Sequence, residues 1–168
     1  LEGAAAGAGC IGAAGGVSVG EEDHVKSQIE QRGALDLWKL AIKPGKPLAF
    51  GHVAGTPIFG LPGNPVSAFI TFALVAKPWL IKRQGGHLLP VQRFPVRAAF
   101  ALTRPGTREE CLRVRLTGSG EALRAALTGS QSSGVLTSLS EADGLAVIAS
   151  GNTVAEGDWV EVMPLSAL

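Results

Sequence analysis

An α/β unit followed by a small all-β unit is the fold class this sequence predicts. Two features of pattern carry the prediction. Short apolar runs and one long apolar helix pattern alternate up to about residue 84. Beyond the Gly85-Gly86 pair and Pro90, short strand-like runs recur at regular spacing, as in a small sheet or barrel. A third observation agrees: every lysine precedes Arg83, and every later basic residue is arginine. The 168 residues are 46% hydrophobic and 17% charged, a balance that excludes a disordered chain and suffices for two small cores.

Taken in order, residues 1–14 are Ala/Gly-rich and are expected to form a loose tail or a damaged strand. Glu21-Glu22-Asp23 place acid where a helix dipole favours it, Val25 and Ile29 share one helical face, and Gly33 is a natural stop. Three apolar runs follow, 38–42, 47–53 and 56–61, the last two forming a hairpin around Ala54-Gly55. Asn64 is a good N-cap, with Pro65 pre-set for the first helical position. A helix from Pro65 to about Gln84 is apolar nearly all round, so it should be buried on most sides, with a kink at Pro78. In the second half, 96–102, 112–116, 122–127, 145–149 and 159–163 read as strands. Arg113 and Arg115 alternate with Leu112, Val114 and Leu116, which predicts one wet face.

Charge and cysteine content exclude several functions. A net charge of +1 offers no large basic face for nucleic acid. Cys10 and Cys111 form no CxxC, and His24, His52 and His87 show no ligand spacing, so zinc modules and a Ser/His/Asp triad are not expected. The longest apolar run, 68–76, is far shorter than a spanning helix needs, and no export signal is apparent, so a cytoplasmic protein without a membrane partner is expected.

Four segments could carry chemistry. Gly15-Gly16-Val17-Ser18-Val19-Gly20 is a glycine loop before a helix, and it is neither a P-loop nor a dinucleotide fingerprint. In the segment 38–47, Lys39 and Lys43 fall on one face if the run is extended, and Pro44-Gly45 turns Lys46 towards them. Three ammonium groups held close suit an oxyanion or phosphate. Leu61-Pro62-Gly63-Asn64-Pro65-Val66-Ser67 is a rigid entry to a helix with free N–H groups. The polar loop 128–134 reads as a linker. Each segment also fits a plain turn or a solvated loop.

The order and wording of these segments resemble the C-terminal part of the molybdopterin molybdenumtransferases, the MoeA and gephyrin E-domain family. The resemblance rests on Gly-Gly-Val-Ser-Val-Gly at 15–20, Lys-Pro-Gly-Lys-Pro at 43–47 and Leu-Pro-Gly-Asn-Pro-Val-Ser at 61–67. Leu112-Arg113-Val114, Gly129-Ser130-Gln131, Ala142-Asp143-Gly144-Leu145 and Gly157-Asp158-Trp159 agree with it. It implies a partial MogA-like molybdopterin-binding domain over 15–88, incomplete at its N-terminus, and a C-terminal β domain over 89–168. It further implies insertion of molybdate into adenylylated molybdopterin with release of AMP, Mg²⁺ as the metal, and a homodimer.

By this likeness Asp23 is the catalytic and metal-binding carboxylate, and Lys39 and Lys43 are the catalytic lysines. Gly15, Gly16, Ser18 and Gly20 cradle the pterin-phosphate end with Lys46 close by. Pro62, Gly63, Asn64 and Ser67 form the adjacent wall, and Ser133 faces the cleft from the β domain. Cys10-Ile11-Gly12-Ala13-Ala14 stands where the family carries an aspartate and a hydroxyl residue, which points to a ligand-binding or oligomerisation module as the alternative.

Overall fold

A computed structural model describes residues 2–15, 33–45 and 47–168; the side chains of residues 2, 4, 33–39 and 47 are outside that description. The chain forms two compact units, residues 1–40 with 45–83 and residues 41–44 with 84–168.

In the first unit a short helix α1 (Glu2–Ala5) leads to strand β1 (Ile11–Ala14). Of the two expectations for residues 1–14, a loose tail or a damaged strand, residues 11–14 take the strand. Ile11–Ala14 pair in parallel with β5 (Thr56–Leu61), and Ala5, Ile11, Val53 and Ile58 share a small core. Burial of Ile11 supplies the reason: an apolar residue opposite Ile58 is worth more inside than a free end gains in entropy. Strand β2 (Gly33–Lys39) pairs antiparallel with β4 (Pro47–Val53), which pairs antiparallel with β5, so the sheet runs β1-β5-β4-β2. The helix expected over 21–33 lies outside the described residues; Gly33 itself opens β2. β5 is central and is buried on both faces, as its near-continuous apolar sequence requires.

The β4–β5 hairpin closes at Ala54-Gly55 as the sequence indicates. Both residues have positive φ, 49° and 80°, the twist a two-residue hairpin turn needs.

Helix α2 spans Pro65–Arg83 in three parts: an α-helical start to Thr71, a π-helical turn over Phe72–Ala76, and an α-helical end. The feature expected at Pro78 is this wide turn just before it. Proline has no N–H and its ring crowds the carbonyl four residues back. The wider turn, in which the Lys77 N–H bonds the Phe72 carbonyl, makes room for it. Burial of α2 is less than its composition suggests. Val66, Ser67, Ile70, Thr71, Ala73 and Ala76 are buried, the last seven residues contain no buried residue, and Phe72 is exposed. By length and composition alone α2 could cross a membrane, contrary to the apolar-run estimate, although its first two parts carry buried residues of this fold. Ala76 and Trp79 pack with Leu48, Phe50 and Phe59; ring centroids lie 4.8 Å apart for Phe50–Phe59 and 5.1 Å for Phe59–Trp79. Such pairs add about 0.5–1.5 kcal/mol each beyond area burial.

The second unit is a closed sheet. Strands β6 (Phe94–Ala98), β7 (Glu109–Thr117), β8 (Arg124–Leu127), β9 (Gly144–Ile148) and β10 (Trp159–Pro164) run in the order β7-β8-β6-β10-β9, and β9 returns to pair with β7. Strand β3 (Ile42–Lys43) joins this sheet, parallel to β7, so residues 41–44 leave the first unit for the second. The core is Val96, Ala98, Leu112, Val114, Ala125, Ala146, Ile148, Val160 and Val162 from the inward faces of the strands, with Phe100 and Val154 from the connections.

Cys111, on the opposite face of β7, is also fully buried. Burial, with Glu109 adding to it, pushes its thiol up to about 12. The unfolded chain releases that proton near 9, so above this pH the folded state holds more protons than the unfolded one. Stability should therefore fall by about 1.4 kcal/mol per pH unit above 9. Urea unfolding at pH 8 and 10 checks this: Cys111→Ala should lack that part of the decline.

Candidate functional site

In the first unit the candidate residues gather at the ends of two parallel strands. β1 and β5 end together, Ala14 opposite Leu61, and the Gly15 N–H donates to the Leu61 carbonyl at 3.1 Å. The residues just beyond, Gly15 and Gly63, come side by side. A Cβ on Gly63 would stand 3.6 Å from the Gly15 Cα, ordinary contact, so the backbones themselves form the wall. Gly15 has φ of 81°, which glycine adopts without strain. Loops beyond the carboxyl ends of strands in α/β sheets are where ligands bind.

The entry to α2 completes this corner. Asn64 is extended at the N-cap position, and its carbonyl accepts the Ala68 N–H at 2.9 Å. Its side chain makes no cap hydrogen bond, unlike an ordinary N-cap. Gly63, Asn64 and Pro65 are exposed, while Pro62 and Ser67 are buried. Gly15, Gly63 and Asn64 are thus brought together and reach solvent, whereas Ser67 lies inside the first turn. Gly16, Ser18, Gly20, Asp23 and Lys46 lie outside the described residues.

The lysines do not share a strand. Lys39 closes β2, opposite Pro47, and Lys43 closes β3, in the sheet of the second unit. Pro47 has no N–H to extend the ladder, and the chain departs at Leu40–Ala41. The run 38–43 is therefore two strands in two sheets, not the single extended run that the shared face presupposes.

In the second unit Lys43 stands opposite Glu110 of β7. Its Nζ donates to the Glu110 Oε1 at 3.1 Å. The lysine side chain is 56% exposed and the glutamate side chain 8%.

Further along the same edge of β7 lies the loop 128–134, which is no simple linker. Glu110 pairs with both β3 and β9, and Val114 with both β8 and β9, so β3 and β8 occupy one edge with a gap at Arg113. Gln131 fills it. Its Oε1 accepts the Arg113 N–H at 2.9 Å, and its Nε2 donates to the Arg113 carbonyl at 3.0 Å and the Thr128 carbonyl at 2.7 Å. One side-chain amide thus replaces a strand residue.

Arg113 itself is 1% exposed, so the wet face expected for it is covered. Its Nε donates to Ser138 Oγ at 3.2 Å, and its Nη2 to the carbonyls of Ser130 and Ser132 at 2.9 and 3.1 Å. Burial lowers its affinity for the proton below the ordinary guanidinium value. These three oxygens explain how a charge tolerates burial, and they hold the loop from which Ser133, half-buried, projects.

Sequence reasoning missed Glu110 as a functional neighbour and took Arg113 and Gln131 only as motif matches. A cue for Arg113 was its place between Leu112 and Val114; for Glu110 there was none short of knowing that 42–43 pairs with 109–110. Among the described residues no group of three or more His, Cys, Asp or Glu could hold a metal ion. Two other motif aspartates hold backbone: Asp143 Oδ2 accepts the Leu116 N–H of β7, and Asp158 Oδ2 accepts the Ala155 N–H within a turn, each at 2.8 Å.

Comparison with known proteins agrees with this architecture. Residues 1–82 match the family described as a probable molybdopterin binding domain, and residues 95–165 match the MoeA C-terminal region (domain IV). A molybdopterin molybdenumtransferase of Haemophilus influenzae is 54% identical over 71 residues, 42% of this chain and 18% of that protein. Molybdopterin molybdenumtransferase 1 of Mycobacterium tuberculosis is 34% identical over 158 residues, 89% of this chain and 37% of that protein. A solved molybdopterin biosynthesis MoeA protein from Pyrococcus horikosii superposes with a TM-score of 0.75 at 30% identity, covering 97% of this chain and 39% of that one. The chain thus spans well under half the length of each relative.

Proposed function

From a chain that carries the C-terminal part of the MoeA and gephyrin E-domain family, we propose a role in molybdenum cofactor biosynthesis: binding adenylylated molybdopterin and molybdate for metal insertion with release of AMP. One observation carries the reading most directly. The Gly15 and Pro62-Gly63-Asn64 loops touch backbone to backbone at the ends of β1 and β5, beside a helix entry whose N-cap side chain makes no cap bond. Such a corner presents N–H groups to an anion. In this reading the pterin-phosphate end of the substrate meets this corner, and Gly16, Ser18 and Gly20 contribute to holding it.

In this reading Lys43 supplies a cation to molybdate, a dianion, and keeps two of its three N–H donors after meeting Glu110. Lys39 and Lys46 add charge, and Ser133 adds a hydroxyl. Asp23 is the proposed metal carboxylate. Among the described residues no carboxylate cluster could join it in holding Mg²⁺. We place the protein in the cytoplasm, as a homodimer.

A second reading, ligand binding without turnover, is favoured by β1. Its residues Ile11-Gly12-Ala13-Ala14 bring no hydroxyl to the corner.

The test is the urea unfolding midpoint with and without adenylylated molybdopterin plus Mg²⁺. Ligand at a hundred times its dissociation constant should add about 2.7 kcal/mol. No shift would refute binding. A shift with AMP released on adding molybdate supports insertion, and a shift without AMP selects the second reading.

A further inference from the structure

We infer that Glu110 is a positioning residue for Lys43, a fixed carboxylate that holds the exposed ammonium where an oxyanion can meet it. The inference rests on the proposed role of Lys43 and names the group that controls it.

The unequal burial of the pair is the first ground. An ion pair with both ends in water holds neither in place, because two flexible side chains must order together. Here one end is already ordered: the glutamate side chain is 8% exposed and the lysine side chain 56%.

The second ground is what surrounds the carboxylate. A Cβ on Gly106 would collide with Glu110 Oε1 and stand 3.2 Å from its carboxyl carbon, so Glu110 lies in a notch that glycine leaves open. The notch is fixed in turn, since the Gly106 carbonyl accepts the Gly151 N–H at 2.8 Å.

The third ground is the lysine's own strand. The Glu109 N–H donates to the Ala41 carbonyl at 2.9 Å, and Arg108 Nη1 to the Ile42 carbonyl at 2.9 Å. With backbone and carboxylate both held, the four-carbon lysine stem is the remaining freedom, and the 3.1 Å contact restricts it. Restricting the stem before the anion arrives removes an entropy cost from binding.

Gly106→Ala separates positioning from charge, because it pushes the carboxylate out of its notch and leaves both charges in the chain. The full 168-residue chain, with ¹³C,¹⁵N-labelled lysine, gives the order parameter of the Lys43 Cε–Nζ bond by NMR, its signal assigned with Lys43→Arg. The order parameter should fall in Gly106→Ala and in Glu110→Gln. Molybdate affinity by calorimetry should weaken roughly tenfold in Gly106→Ala. Should Gly106→Ala not fold, Glu110→Gln carries the test. A Lys43 equally ordered in the variants would overturn the proposal. So would a loosened Lys43 with molybdate affinity unchanged or tighter, which would make Glu110 a competitor of the anion. If the wild-type chain binds no molybdate, the role of Lys43 fails, while the order parameters still decide whether Glu110 holds it.

Discussion

Lys43→Ala should destabilise the second unit by about 1–3 kcal/mol, before any effect on a ligand is counted. The cause is the partner left behind. Glu110 stays buried in the Gly106 notch with its charge uncompensated, since the backbone around it is fixed by the β3 and β9 pairings. A fully buried pair broken this way loses about 3–5 kcal/mol; the exposure of the lysine lets water reach its side of the carboxylate and brings the figure down. Lys43→Ala with Glu110→Gln should recover most of the loss, because the amide fits the notch without a charge. Amide hydrogen exchange at Leu112 and Val114 reports this unit separately from the first. Equal protection in wild type and Lys43→Ala would show that the pair contributes nothing to stability. A loss of activity in Lys43→Ala therefore counts as loss of a site residue only where the double variant, stable again, is also inactive.

The same pair shows what could be read in advance. Local pattern was legible: the Ala54-Gly55 hairpin, the start of α2 at Pro65, and the five barrel strands all follow from period, turn residues and caps. Closed pairing was not. Residues 38–43 look like one extended run, and only a proline facing Lys39 and a sheet offering an edge at Glu109–Glu110 divide it between two sheets. Burial of charge was equally hidden. Arg113 and Arg115 are identical in pattern, yet the segment 128–141, a loop and a short helix over 137–140, covers the first and leaves the second exposed. Of the candidate site, the glycine corner was legible because glycine, proline and asparagine signal backbone geometry directly. Lys43 stands out in the sequence as a cation of a basic segment, whereas neither its place in the second unit nor the carboxylate it meets, 67 positions along the chain, does.

Arg113→Met should cost about 3–5 kcal/mol in the second unit, and Arg113→Lys should not rescue it. The guanidinium gives one donor to Ser138 Oγ and donates through Nη2 to two carbonyls, at angles set by its planar fork. Methionine fills much of the volume and donates nothing, so the Ser130 and Ser132 carbonyls lose their partner beneath the loop. Lysine brings the charge back into a buried place with a flexible head that cannot span three oxygens, and it pays the desolvation cost again. Gln131 is the control. Its bonds run to the Arg113 and Thr128 backbone, so they survive either substitution and keep the loop attached to β7. The expected result is therefore a loop that stays docked but loses its order past residue 130. Hydrogen exchange should rise at the Val135 N–H, bonded to the Ser132 carbonyl at 3.3 Å, more than at the Thr128 N–H, bonded to the Arg113 carbonyl at 3.0 Å. Uniform exchange at both would mean that Arg113 holds the whole barrel edge. Unchanged exchange at Val135, with Arg113→Lys as stable as wild type, would mean that charge alone matters here and that the fork geometry does not place Ser133.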